Sequence, residues 1–274
     1  MAPNEVRVKL RESGIERAVE ILECLHDAGE PLGIAEIAQR IGAPRSTVYN
    51  VVNRFIAANL LEDYGPRGQV FFGKTIYFYA ADFMRRNDLM RRGRDEVDRI
   101  AHSTGETIEL CALQENKYTV AYVKSGARMF RITSEVGMRL PIPWTASGRL
   151  LLAGMSSKEI VDLVPPEDFI LADGREIAIN EFCDQIVEAE EAGYCITSGL
   201  IDSLTRCLAV PIKDSAGKVV ATLCAVVMIN RGDDDVSALL EVLIDSARRL
   251  SLHSDARSRK AEPKIPAASN SSLA

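Results

Sequence analysis

The chain has 274 residues, 47% of them hydrophobic and 26% charged, with a formal net charge of −6. That length suits one small and one medium domain, each with its own core. The opening MAPNEVRVKLRES has no apolar centre and no apolar run nears the ~20 residues of a membrane span, so no leader or spanning segment is expected and the protein reads as cytoplasmic. Residues 1–92 hold 13 Lys+Arg against 12 Asp+Glu, whereas residues 93–274 hold 20 against 27, so the acidity belongs to the second part. Cys24, Cys111, Cys183, Cys195, Cys207 and Cys224 sit mostly in apolar runs without C-x-x-C or ligand spacing. They read as reduced, buried thiols, and neither a metal nor a cofactor is expected.

After a flexible arm over residues 1–12, a helix is expected from about Gly14 to Ala28, facing inward through Ile15, Ala18, Val19, Ile21, Leu22 and Leu25. Residues 34–58 then carry two short amphipathic patterns. Ile34, Ala35, Ile37, Ala38 and Ile41 make the first stripe, Gly42 ends it, and Pro44 suits the first turn of the next helix. In that second helix Val48, Val51, Val52, Phe55 and Ile56 turn inward. Arg45, Ser46, Thr47, Tyr49, Asn50, Asn53 and Arg54 are left outside. Such a pair is a helix-turn-helix. Its outer face is either simply solvated or suited to DNA: Asn pairs with adenine, Arg with guanine, and hydroxyls with phosphate. No Asp or Glu occurs from Gln39 to Leu61 to repel phosphate. Residues 60–72 read as a hairpin around Gly65-Pro66-Arg67-Gly68, which makes a winged helix over 13–74 with Arg67 at the wing tip.

Residues 75–103 predict a long connector helix, broken near Gly93, with apolar residues spread around its early turns (Ile76, Phe78, Tyr79, Ala81, Phe83, Met84). That spread points to a dimerisation surface, and a twofold axis there would favour a near-palindromic operator. Over 104–253 the period changes. ETIELCALQ, KYTVAYVKS and RMFRITSEVG read as strands, and TRCLAVPIKD with KVVATLCAVVMIN as a hairpin across Ser215-Ala216-Gly217. Helices are expected at WTASGRLLLAGM, at SKEIVDLV with Ser156 and Glu159 in capping-box spacing, up to Gly193, and from Asp233 to Leu252. The fold class is α+β, an antiparallel sensor-like domain behind a winged helix, followed by a disordered tail over 254–274.

The whole order resembles the isocitrate-lyase-regulator (IclR) family of bacterial transcription factors. The marks are SGIERAVEILECL, LGIAEIAQRIGAPRSTVYNVVNRFIAANLLE, GQVFFGK, VGMRLPIPWTASGRLLLAG and TRCLAVPIKDSAGKVVATLCAV, in order across residues 13–253. The resemblance implies a GAF-like effector domain, assembly as a dimer or dimer of dimers, and control of a catabolic operon, most readily as a repressor binding double-stranded operator DNA. It also implies an effector pocket between the loop-helix start and the sheet, here Trp144, Thr145, Ala146 and Ser147 with Thr197, Cys207 and Cys224. Free N–H groups of Thr145 to Ser147 would form a small anion site there, Thr145 would add a hydroxyl, and Arg131 on the preceding strand would pair with an acidic effector. Relatives that bind small keto acids carry Asp where this chain has Thr197, serines at Cys224 and Val226, and a smaller or more polar residue at Trp144. The pocket is thus expected to be less polar, fitting a short organic acid, semialdehyde or lactone. The competing reading is an enzyme, a hydrolase with Cys207 as nucleophile and His102 as its nearest preceding histidine.

Overall fold

The computed structural model describes residues 14–65, 68–127 and 134–252, in two compact units divided between Arg86 and Asn87. In the first unit, α1 (Gly14–Ala28), β1 (Leu32–Gly33), α2 (Ile34–Arg40), α3 (Arg45–Ala57), β2 (Leu61–Tyr64), β3 (Gln69–Phe72) and α4 (Lys74–Arg86) follow in order. Ile21, Leu25, Ile37, Val48, Val52, Leu61 and Val70 form its fully buried centre. Between α2 and α3, Gly42 adopts φ +63° and the Ala43 N–H returns to the Ala38 carbonyl at 2.9 Å. Pro44 stands one step earlier than expected, as the extended residue that caps α3. Buried Arg17 ties α1 to the end of α2 by donating to the Ile41 carbonyl at 3.2 Å.

Three sequence expectations change here. Ile15 and Val19 are not core residues: they are 78% and 48% exposed on the outer side of α1. A third strand joins the hairpin, because β1 pairs with β3 through Leu32 and Val70. A two-residue strand carries no periodicity of its own, so only the pairing defines it. The connector is two helices rather than one. Its break falls at Asn87, whose side chain accepts from the Met90 N–H at 3.0 Å and so caps α5 (Asp88–Thr104). Gly93 lies inside α5 and is a packing residue: a Cβ there would stand 2.7 Å from the Leu110 side chain.

The second unit continues with β4 (Thr107–Gln114), β5 (Lys117–Lys124), β6 (Arg139–Pro141), a 3-10 turn over Ile142–Trp144, α6 (Ala146–Leu151), α7 (Ser157–Leu163), α8 (Ile179–Ala192), β7 (Cys195–Ser198), β8 (Thr205–Lys213), β9 (Val219–Met228) and α9 (Asp233–Leu252). The six strands form one antiparallel sheet in the order β6-β5-β4-β9-β8-β7. The first part of the strand expected in RMFRITSEVG, residues 128–133, lies outside the described residues; Ser134–Gly137 is not strand, and pairing resumes at β6 in a stretch read as loop.

Alternation along the central strands sends Leu208, Val210, Ile212, Leu223, Ala225 and Val227 to one face, where α5 and α9 cover them. Ala209, Cys224 and Val226 go to the other, beneath α6. Burial on both faces explains why β8 and β9 read as continuous apolar runs. The capping box at Ser156 and Glu159 is formed, and Gly193 closes α8 with φ +73°.

Glu96 on α5 binds Arg99 at 2.9 Å and also Arg249 of α9, which fastens the two helices to each other. Burial pushes the Glu96 carboxyl up, but hydrogen bonds from Arg99, Arg249 and Ser246 outweigh it and bring its pKa from 4.5 to about 2. A lowered folded-state value contributes stability that is complete above the unfolded value and disappears as pH falls through the folded one. Thermal unfolding at stepped pH is therefore expected to show the native chain more stable than Glu96→Gln at neutral pH, with the gap closing between about pH 5 and 2.

Candidate nucleic-acid face and effector cavity

Helix α3 is anchored by Val48 and Val52, both wholly buried, while Val51, Phe55 and Ile56 are half-buried at the margins of the core. The remaining arc is open. Arg45, Ser46, Tyr49, Asn50, Asn53 and Arg54 are exposed and Thr47 is half-buried. Neither Arg45 nor Arg54 has an ion-pair partner among the described residues, so both guanidinium groups are available to an outside anion. Arg67 lies outside the described residues.

In the second unit a cavity of about 90 Å³ opens between α6 and the sheet. The strand register builds its floor. Cys224 of β9 is flanked by Glu109 of β4 and Ala209 of β8, and in the next row Val226 lies opposite Cys207. Tyr118 and Val120 of β5 form one wall, and Thr145, Ala146 and Ser147 the roof. The surface is mainly apolar. Its buried polar groups are few and closely placed: Glu109 is 4% exposed and accepts the Tyr118 hydroxyl at 2.6 Å and the Cys111 thiol at 3.7 Å, all through Oε2. The Ser147 hydroxyl, 1% exposed, lies beside Cys111 outside hydrogen-bond geometry and has no partner.

Of the residues anticipated for a pocket, Thr145, Ala146, Ser147, Cys207 and Cys224 come together around this cavity. Trp144 does not. It closes the preceding 3-10 turn and its indole N–H donates to the Asp168 carbonyl at 2.8 Å. Thr197 lies opposite Cys207 in the β7–β8 ladder but lines a separate, open groove with Arg149 and Gln185. Arg131 lies outside the described residues.

The expected anion site also changes, because the Thr145 N–H is taken by the Ile142 carbonyl at 3.2 Å. The Thr145 hydroxyl is likewise committed, accepting from the Gly148 N–H at 2.8 Å to cap α6. Gly148 is required at that junction. A Cβ would come within 2.1 Å of the Ile142 carbonyl oxygen.

Glu109 and Tyr118 escaped the sequence reading. The signal was a carboxylate between Ile108 and Leu110, on the same side of β4 as Cys111, where alternation places it on the covered face. The buried thiols of Cys224 and Cys111 are poorly suited to nucleophilic chemistry. A hydrogen bond with Cys207, then burial, then the Glu109 charge push the Cys224 thiol well above its ordinary value, and burial followed by Glu109 does the same for Cys111. His102 is exposed on α5, which covers the opposite face of the sheet from Cys207. Among the described residues no group of three or more His, Cys, Asp or Glu is placed to hold a metal ion, and no helix is long and apolar enough to cross a membrane.

A helix-turn-helix unit with an exposed hydrogen-bonding helix, joined in sequence to an α+β unit with an enclosed cavity, defines a transcription regulator of the ligand-responsive class. Residues 14–63 match the IclR helix-turn-helix domain and residues 81–252 the bacterial transcriptional regulator IclR C-terminal domain. The chain belongs to the IclR family of bacterial transcriptional regulators. It is 25% identical to the HTH-type transcriptional regulator KdgR of Dickeya chrysanthemi over 241 residues, covering 87% of this chain and 79% of that one. The regulator BhcR of Paracoccus denitrificans is also 25% identical, with 86% and 85% covered.

Among solved structures, an IclR transcriptional regulator from Alicyclobacillus acidocaldarius superposes with TM-score 0.78 at 21% identity, covering 89% of this chain and all of that one. An IclR homolog from Microbacterium hydrocarbonoxydans, complexed with 4-hydroxybenzoate, gives 0.75 at 24% identity, with 88% and 99% covered. These two structures share the fold. The proteins matched are transcriptional regulators and not enzymes, so the hydrolase reading of Cys207 falls away.

Because Thr145 caps α6, Thr145→Val is expected to lower the unfolding free energy by about 1 kcal/mol, within the usual range for a lost N-cap, while Thr145→Ser retains it. Denaturant titration of the three proteins measures this directly.

Proposed function

We propose that the protein is a cytoplasmic repressor of a small-molecule catabolic operon, binding a near-palindromic operator through α3 and Arg67 and released by a small organic effector. The observation that carries the DNA-binding part is the exposed arc of α3, with Arg45 and Arg54 in no ion pair among the described residues and no Asp or Glu in the sequence from Gln39 to Leu61. In this reading Asn50, Asn53 and Arg54 reach base edges, while Arg45, Ser46, Thr47, Tyr49 and Arg67 hold phosphates. The acidic second unit keeps duplex contact local to that face. Effector binding in the cavity roofed by Thr145 to Ser147 shifts the balance between operator-competent and released states. A coupling of about 1–3 kcal/mol suffices for a 5- to 150-fold change in affinity. The effector classes carried over from the resemblance are short organic acids, semialdehydes and lactones.

Self-association follows from α4. None of its residues is buried within its unit, and Tyr77, Phe78, Tyr79 and Phe83 are 57–71% exposed. So many bare aromatic rings on one short helix call for a covering surface, and a second copy supplies it with the twofold symmetry a palindrome needs. A dimer, or a dimer of dimers, is the form that binds DNA.

Gel-shift titration with DNA upstream of the gene tests the first part. Asn50→Ala or Arg54→Ala is expected to cost about 1–3 kcal/mol and relax sequence preference, while Arg45→Ala weakens all sequences alike and reduces the salt slope by about one. No retardation of that DNA by the native chain at moderate salt would end the reading. Sedimentation tests the second part: Phe78→Glu with Phe83→Glu is expected to shift the protein to monomer with its thermal unfolding otherwise intact.

A further inference from the structure

The cavity's polar groups define which effector it accepts. Glu109 uses one carboxylate oxygen, Oε2, for both of its hydrogen bonds, to Tyr118 at 2.6 Å and Cys111 at 3.7 Å. The other, Oε1, makes none, and the side chain lines the cavity while only 4% exposed to solvent. A second acid, Asp202, lines the same space, and none of the described lining residues is Lys or Arg. The Ser147 hydroxyl, also unpartnered, faces the cavity from α6. The rest of the wall is mainly apolar, through Val120, Met138, Leu140, Ile201 and Val226, with the hydroxyl residues Ser134, Thr145 and Thr205 among them.

We infer that the effector is a small, largely apolar, non-anionic molecule that donates a hydrogen bond from an ammonium or hydroxyl group to Glu109 Oε1. The inference rests on the regulator reading above for the word effector, but the binding preference stands independently of DNA. A ligand carboxylate brought beside Glu109 would put two like charges in a space that water screens poorly. An ammonium gains an ion pair, and an alcohol gains a charge-assisted hydrogen bond with no charge of its own to desolvate. In both cases a hydrocarbon body fills the apolar wall. Among the classes named for the effector, only a hydroxylated lactone meets these conditions. The short acids and acid semialdehydes do not. Glu109 is thereby a specificity-determining residue, placed by the β4–β9 register and oriented by Tyr118.

The test uses n-butylamine, 1-butanol and butyrate, which share a four-carbon body and differ in charge and donor. Titration of the full-length protein at millimolar ligand, followed by thermal shift and by calorimetry, is expected to give butylamine and butanol at least about tenfold tighter binding than butyrate. Glu109→Gln, which keeps the shape and an acceptor for Tyr118, is expected to erase that preference and weaken butylamine about tenfold. The comparison within the native chain needs no variant, so a poorly folding Glu109→Gln leaves the test intact. Butyrate binding as tightly as the amine, or no binding by any of the three, overturns the inference. Gel shifts on the same preparation separate the two readings: DNA binding with an acid preference sinks only the ligand class, and the amine preference without DNA binding sinks only the regulator.

Discussion

The antiparallel register of β4, β9 and β8 is the constraint on which the second unit depends. It aligns Glu109, Cys224 and Ala209 across one face and Leu110, Leu223 and Val210 across the other. Because side chains alternate with a period of two, a one-residue slip would move the carboxylate into the hydrophobic layer under α5 and α9 and push leucines into the cavity. The apolar layer is large and tightly covered, so its burial holds the register. The polar floor of the cavity is therefore secured by hydrophobic contacts on the opposite face. Its own few hydrogen bonds orient Glu109 but are not what holds the strands together.

The same division of labour recurs in the first unit. Val48 and Val52 fix the rotation of α3 about its axis, and that rotation alone determines which side chains stay in solvent. No residue of the outer arc has to contribute to folding. Arg45, Asn50 and Arg54 are thus free to be chosen for what they meet outside the protein, whereas Arg17, buried between α1 and α2, is spent on the fold.

The sequence revealed features that local chemistry encodes. The capping box at Ser156 and Glu159, the glycine that closes α8 and the span of α9 all depend on a few adjacent residues or on one sustained period. The arc of α3 was legible for the same reason. Features set by distant partners were not: β1 exists because Leu32 pairs with Val70, β6 because β5 has an open edge, and a helical position carries glycine at 93 because the Leu110 side chain leaves no room for a Cβ. In the cavity, the nearness of Thr145 to Ser147 and of Cys207 to Cys224 was legible through the resemblance. Trp144 was misplaced because a turn rotates it onto Asp168, and Glu109 was overlooked because a lone charge in a strand ordinarily faces water.

Gly148 shows how such a cavity can diversify. Its hydrogen atom occupies the gap left by the Ile142 carbonyl, so the junction between the 3-10 turn and α6 admits no larger residue. Yet Tyr118, Met138 and Val226, which shape the space below, carry no such backbone restriction. Side chains around the cavity can therefore be exchanged while the glycine junction above them stays fixed, so the ligand preference of such a frame can change without a change in how it folds.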